Sequence, residues 1–247
     1  MKISIITVCY NSAATIKDTI ESVLGQSYLG IEYLVIDGNS TDETLSIVRS
    51  YENKISRIIS EPDKGMYDAL NKGIALASGD LIGILNADDF YADETVIEEV
   101  VKQIETSNCD ALYADLHYVA AENTSEIKRY WKSGEYKKGH FLKGWMPPHP
   151  TFFIKKGCYE QYGSFNLSLK SAADYELMLR MIHKYEVSLC YLNRVIVKMR
   201  VGGMSNSSLK NRLRANREDK KAWEINGLKP SPLTFLFKPL RKLRQFI

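Results

Sequence analysis

At 247 residues, 45% hydrophobic and 26% charged, the chain has the composition of a soluble globular protein, enough for one large α/β domain with an appendage. A net charge of +3 gives no case for nucleic acid, and no run approaches the ~20 apolar residues that a membrane span needs. Residues 1–8 lack the parts of a signal peptide, and Cys9, Cys109, Cys158 and Cys190 are scattered without zinc spacing, so the expectation is a cytoplasmic chain with reduced, structural thiols.

The β-branched, apolar stretch 2–8 predicts a central strand. Cys9-Tyr10-Asn11-Ser12 turns the chain, and Ser12 is placed to cap a helix through residue 24, with Ile16, Ile20, Val23 and Leu24 at helical spacing. Residues 32–36 predict a second strand, ended by Asp37-Gly38-Asn39. Ser40 with Glu43 three residues on reads as a capping box for a helix to about residue 51. A third strand (55–60), a turn at Glu61-Pro62-Asp63-Lys64-Gly65 and a helix over 66–77 follow. The short run 81–85, with Gly83 in its middle, has the pattern of a strand buried on both faces of a parallel sheet. It stops at Asn86-Ala87-Asp88-Asp89, after which Asp93 caps a helix carrying Val96, Ile97, Val100, Val101 and Ile104 on one face.

Strand and helix alternate to about residue 106, which predicts a Rossmann-like, doubly wound, mostly parallel sheet over residues 1–110. From 111 the pattern becomes mixed. Strands are expected at 111–119 and 151–154, with 126–131 as part of an antiparallel hairpin, and Pro147-Pro148-His149-Pro150 forbids regular structure. Asp174 opens a helix over 175–185, strands fill 187–197, a glycine-rich loop spans 200–205, and a basic helix covers 207–223. Residues 229–247 hold five cations and no acid, leaving a body of net charge −2 with a basic end. Pro230, Pro232 and Pro239 limit any amphipathic segment there to about 239–247.

In open α/β sheets ligands bind outside the carboxyl ends of the strands. Asp88 and Asp89 stand at such an end, where paired carboxylates can hold a hard divalent cation and through it a diphosphate. An Asp-rich turn is the plainer alternative.

The opening strand with Thr-Val-Cys-Tyr-Asn, then Val-Ile-Asp-Gly-Asn-Ser-Thr-Asp, Asn-Ala-Asp-Asp and Ala-Ala-Asp-Tyr-Glu, in this order over residues 2–205, resemble a family 2 glycosyltransferase with the GT-A fold. The variant Asp-Lys-Gly-Met-Tyr-Asp-Ala-Leu-Asn-Lys-Gly is similar to enzymes of bacterial surface-polysaccharide synthesis. The resemblance implies one domain over 1–222, with a nucleotide-binding half (1–110) and a mixed acceptor-side half (111–222), and a basic amphipathic tail (223–247) with a helical end. It implies an inverting transfer from a nucleotide-sugar, with a UDP-sugar expected, to a growing, lipid-linked oligosaccharide. Thr7, Tyr10 and Asn11 would surround the uridine and Asp37 would accept from the uracil edge. Asp88 and Asp89 would grip Mg or Mn, with Asp88 also toward the nucleotide, although Asn86 stands where many members have the first Asp. Asp174 matches the catalytic base.

Alternatives stay open at several of these positions. Asp37 also suits a turn former, Asp174 a helix cap, and Glu176 is a rival base. His149 would meet acceptor or phosphate, or fill a structural niche; Arg200 with its glycines would meet diphosphate, or make a tight turn; Lys64 would reach a phosphate, or stay solvated. The tail fits an anchor on an anionic membrane surface, placing the protein on the inner face of the cell membrane, and equally a helix packed on a partner or on the domain itself. A nucleotidyltransferase and a non-catalytic sugar-nucleotide binder are the rival functions, the first disfavoured because Cys9-Tyr10-Asn11-Ser12 lacks a Gly-rich basic signature.

Overall fold

In the computed structural model, which describes residues 1–202, 209–243 and 245 (backbone alone at 209–213 and 242–243), the run Ile-Ser-Ile-Ile-Thr-Val-Cys forms β1 (Ile3–Cys9), buried at every residue. β2 (Ile31–Asp37) and β4 (Leu81–Ile84) flank it in parallel, and β3 (Arg57–Ser60) pairs beyond β2. α1 (Ile16–Leu24), α2 (Thr44–Arg49) and α3 (Met66–Leu76) make the crossovers. α1 buries Ile16, Ile20 and Val23, as its spacing announced, and α3 buries Ala69, Leu70 and Ile74. Gly73 lets α3 lie against β1, since a Cβ there would come 2.5 Å from Cγ2 of Ile6.

Past β4 the directions alternate. β8 (Phe153–Lys155) runs antiparallel to β4, and the Phe153 ring covers Gly83, where a Cβ would sit 2.4 Å from the ring. β6 (Ala111–Val119) pairs antiparallel with β8 and with the hairpin strand β7 (Ile127–Trp131), and parallel with β9 (Leu189–Arg200). β5 (Asp89–Tyr91), straight after the acid turn, closes the far edge on β9. The sheet is therefore parallel where the nucleotide-binding half was expected and mixed beyond it, with α4 (Val96–Ser107) packed in between.

Several local readings change in three dimensions. Ser12 does not cap by its side chain: α1 starts at Ile16, and the Ser12 carbonyl accepts from the amides of Thr15 and Ile16. The capping box is also absent, because the buried Asp37 carboxylate claims the Ser40 hydroxyl and Asp42 caps the amide of Thr44 instead. Cys109 and Cys190 are joined in a disulfide, with Cα atoms 6.1 Å apart, against the expectation of reduced thiols. Eighty-one residues separate them in sequence, and only the pairing of β6 with β9 from Ala111 and Leu189 onward makes them neighbours. Cys9 and Cys158 are free and buried. After α5 (Lys156–Tyr162), the helix that follows Asp174 is α-helical only over α6 (Ala173–Met178) and is wound as a π-helix from Leu179 to Lys184.

α7 (Leu209–Ile225) carries the fully buried Trp223, whose indole N–H donates to Tyr175 at 2.8 Å. α8 (Thr234–Leu243) begins earlier than the proline count suggested and runs through Pro239. Its contacts outweigh the missing helical bond: Thr234 Oγ1 donates to the Leu142 carbonyl, Arg241 Nε to the Lys143 carbonyl, and Lys238 pairs with Asp219 at 2.6 Å. Residues 203–208, which hold part of the glycine-rich loop expected at 200–205 and the start of the basic helix expected from 207, and Arg244, Phe246 and Ile247, lie outside the described residues.

Candidate functional site

Because β1, β2, β3 and β4 are parallel, the turns after them gather at one edge of the sheet. Cys9, Asp37 and Ser60 lie in one cross-strand row at that edge. Tyr10, just beyond β1, is 62% exposed, a large aromatic surface left to solvent. Asn11 takes a left-handed turn (φ 49°), and its Oδ1 accepts from the Thr41 amide at 2.9 Å while its own amide donates to Ser40. The turns after β1 and β2 are thus laced into one unit.

Asp37 is fully buried and engaged within the protein. It accepts from the Ser40 amide and hydroxyl and from Ser60 Oγ at 2.7 Å. Thr7 is fully buried as well, and accepts from the Tyr33 hydroxyl at 3.1 Å. Of the four residues expected around the nucleotide, Tyr10 and Asn11 reach the surface, whereas Thr7 and Asp37 hold the strand ends in place. Sequence reasoning missed Asp63. A Cβ on Gly38 would lie 3.0 Å from Asp63 Oδ2 and 3.5 Å from the Tyr10 ring, so ring, bare backbone and carboxylate meet in one slot. The signal was available, since Asp63 lies in the turn after β3 as Asp37 ends β2. Lys72, one helix away, pairs with both Asp63 and Glu61. Lys64 is exposed, and its amide donates to Asp68 at the start of α3.

The turn after β4 places Asp88 half-buried and Asp89 fully buried. Asn86 Nδ2 donates to Asp89 Oδ2 at 3.0 Å, while Asn86 Oδ1 and Asp89 Oδ1 are buried without a hydrogen-bond partner. Burial, then the neighbouring Asp88 charge, pushes the Asp89 carboxyl well up; burial also raises Asp88, against the pull of Arg200. Orphaned buried oxygens beside a half-exposed carboxylate, with no nitrogen or sulfur donor, form a hard donor set of the kind Mg or Mn prefers. Among the described residues no three His, Cys, Asp or Glu side chains come together as a cage, so any cation here would take its remaining ligands from elsewhere. Arg200, buried, donates to the Asp88 carbonyl at 3.0 Å, pairs with Asp18 of α1 and lies 4.9 Å from the Phe90 ring. It fastens the acid turn from the protein side.

Asp174 sits in the first turn of α6, half-buried, and its Oδ1 accepts from the Tyr67 hydroxyl at 3.1 Å. The loop before it is held by Glu218 of α7, one carboxylate oxygen accepting from the amides of Lys170, Ser171 and Ala172. Nothing in the local sequence announced that role for Glu218. Glu176, the rival base, is buried and spent on structure: Arg180 grips both its oxygens and Asn226 donates to one. His149 lies against Phe165 with its Nε2 buried and unbonded; burial lowers its pKa, opposed by the charge of Asp174. Tyr118 lies on the strand row that leads from the acid turn. Asp89, Met199, Tyr118 and Arg129 stand in one row across β5, β9, β6 and β7. Burial raises the Tyr118 phenol, and both Asp89 and Asp174 push it further.

Residues 4–159 match the model of glycosyl transferase family 2. A PGL/p-HBAD biosynthesis glycosyltransferase of Mycobacterium bovis is 28% identical over 209 residues, 83% of this chain and 79% of that protein. Among solved structures, residues 1–349 of TarS from S. aureus in complex with UDP-GlcNAc align with a TM-score of 0.70 at 18% identity, over 92% of this chain and 65% of that one. A mannosyltransferase from Pyrobaculum calidifontis, in complex with GDP-Man and Mn2+, aligns with a TM-score of 0.67 at 18% identity, over 97% and 67%. At these identities the two structures speak for a shared fold, which is the GT-A fold expected from the motifs.

Proposed function

The chain belongs to glycosyl transferase family 2, and we propose that it is an inverting, metal-dependent enzyme that moves a sugar from a UDP-sugar to a hydroxyl of a growing, lipid-linked oligosaccharide. One observation carries the reading: a half-buried carboxylate, Asp174, held by the Tyr67 hydroxyl, stands apart from an acid turn whose buried Asn86 and Asp89 oxygens have no hydrogen-bond partner. An acid pair for a diphosphate and a separate carboxylate for an acceptor proton are the two groups that a single displacement at an anomeric carbon requires.

In this reading the base of the nucleotide lies on the Tyr10 ring beside Gly38 and Asp63, with Asp37 holding that turn. Asp88, with the free oxygens of Asn86 and Asp89, would hold Mg or Mn, which supplies charge neutralisation at the leaving diphosphate. Arg200 keeps the turn at the height that task needs. Asp174 takes the proton of the acceptor hydroxyl as its oxygen attacks the face opposite the nucleotide, and that geometry inverts the centre. His149, whose polar edge is buried beside Asp174, lines the acceptor corner. A nucleotide-sugar donor is supported by the ligands in the two structural relatives, and a glycolipid acceptor by the name of the mycobacterial relative.

The tail supports a place at the inner face of the cell membrane. α8 docks one side on the domain and leaves Leu233, Leu236, Phe237 and Leu240 exposed beside its cations. No helix among the described residues is long and apolar enough to cross a membrane, so contact would be with an anionic surface. The deciding experiment is calorimetric titration with UDP- and GDP-sugars, followed by nucleotide release with and without octyl glycosides as acceptors. A UDP-sugar that binds and is turned over faster with acceptor is the expected result; binding without acceptor-stimulated release would leave a sugar-nucleotide binder.

A further inference from the structure

The stretch Asp-Lys-Gly-Met-Tyr-Asp-Ala-Leu-Asn-Lys-Gly holds two residues that the reading above does not use, Tyr67 and Asn71. They are four apart on α3 and so share one face of it. Asn71 Nδ2 donates to the Phe165 carbonyl and its Oδ1 accepts from the Phe165 amide, both at 2.9 Å. That pair of hydrogen bonds fixes a loop of the other half of the molecule to α3. The Phe165 ring then stacks on Tyr67 at 5.4 Å, and Tyr67 donates its hydroxyl proton to Asp174 at 3.1 Å. The first amides of α6, at Ala173 and Asp174, face the same phenol oxygen. Burial, then the Asp174 charge, pushes the Tyr67 phenol far up, so it stays protonated and meets the carboxylate only as a donor. α3 itself is seated on β1 through Gly73 and so moves with the donor half.

We propose that Tyr67 is the positioning residue of the transfer: held by Asn71 and Phe165, it fixes the Asp174 carboxylate at a set place relative to the donor half, with Oδ1 engaged and Oδ2 turned to the acceptor. The proposal rests on Asp174 being the base. An aspartate carboxylate rotates broadly about its last torsion, and a displacement of about 1 Å can cost a hundredfold in rate. One phenol donor removes that freedom. Among the described residues, the charge of Asp174 also acts on His149 and Tyr118. Neither gives it a hydrogen bond like that of Tyr67.

A double-mutant cycle tests this, reading acceptor-dependent nucleotide release from the sugar donor that calorimetry selects, with octyl glycosides supplying the hydroxyl. Tyr67→Phe keeps the stack on Phe165 and should unfold at nearly the wild-type temperature. It should lower kcat about tenfold or more, by loss of a hydrogen bond to a charged group, while donor KM stays unchanged. In an Asp174→Asn background it should cost nothing further, because the positioned group is gone. Asn71→Ala, which leaves both members of the pair intact, should lower kcat in the same direction with donor KM again unchanged. Unchanged kcat in Tyr67→Phe, or an equal loss in both backgrounds, would overturn the proposal and leave Tyr67 a core residue. If Asp174→Asn alone retains full turnover, the base reading falls, and the positioning role with it.

Discussion

The two halves of the site are built in different ways. In the donor half, Arg200 reaches the acid turn from afar, but most polar side chains are held by residues close in sequence or on an adjacent strand end: Asp37 by Ser40 and Ser60, Asp89 by Asn86, Asn11 by Thr41. In the acceptor half, the partners come from far away. Asp174 is held by Tyr67, 107 residues earlier, and its preceding loop by Glu218, 46 residues or more later. A parallel βα unit brings its own turns together, whereas a mixed sheet with returning helices has to assemble a corner from distant pieces. The donor half should therefore tolerate change locally, while the acceptor corner should fail through substitutions that lie nowhere near it in sequence.

The sharpest break of the comparison is removal of metal, which acts on the donor half alone. Excess chelator should abolish transfer, and Mg or Mn should restore it. Asp88→Asn should weaken binding of the nucleoside diphosphate far more than binding of free uridine. Transfer at full rate in chelator would remove the acid turn from the chemistry.

Next in size is Asp174→Asn, which strikes only the acceptor corner. Asp174 lies inside the first turn of α6, with Ala172 at the cap position, so the helix-cap reading falls; asparagine keeps the shape of aspartate but accepts no proton, and the variant should fold and bind donor normally. Its turnover should fall by at least about a hundredfold. Near-normal turnover would remove Asp174 from the chemistry, and Glu176 offers no substitute, since Arg180 and Asn226 already occupy its oxygens.

A smaller effect is expected at α8, which belongs to neither half of the site. Leu236→Ser with Leu240→Ser should weaken binding to vesicles rich in anionic lipid by about tenfold, the scale of two leucines partly withdrawn from an apolar phase. Turnover on a soluble glycoside should stay the same. Equal vesicle binding at low and physiological salt by both proteins would argue for a protein partner on that face.

The smallest effect concerns the opposite end of the sheet. Glu32 loses by burial but gains more from hydrogen bonds of Ser4, Ser78 and Lys2, and its carboxyl is lowered to about 2. A group whose folded pKa is depressed stabilises above its unfolded value and stops doing so as pH falls through the folded one. Urea midpoints of wild type and Glu32→Gln should therefore differ at neutral pH and converge as pH falls from about 4.5 to about 2. A gap that persists at pH 2 would show that packing, not charge, separates them.

Of the site, the donor half was largely legible and the acceptor corner only in part. Tyr10, Asn11, Asp88 and Asp89 were recognisable because each follows a strand whose apolar run ends abruptly. The burial of Thr7 and Asp37 was not, since a strand buried on both faces gives no sign of which polar side chain turns inward. Asp174 was recognisable as a carboxylate opening a helix after small residues. Its holders, Tyr67 and Glu218, were not, because a hydrogen bond across more than forty residues leaves no periodicity to read.

By itself the sequence determined the alternation of β1 to β4 with α1 to α3, the apolar stripes on α1 and α4 and the acids at the strand ends, while the short strand β5 after the acid turn went unread. These follow from side-chain period and local turn chemistry, which act within a few residues. Only the tertiary structure decided which strands became neighbours after β4, and with that the disulfide between Cys109 and Cys190. It alone turned the Ser40 hydroxyl from a helix cap to Asp37, carried α8 through Pro239, and set Tyr67 against Asp174. At Pro239 contacts made across the fold outweighed a local cost of about 3 kcal/mol, and at Ser40 the carboxylate that the sheet buries three residues away outweighed a cap worth about 1 kcal/mol.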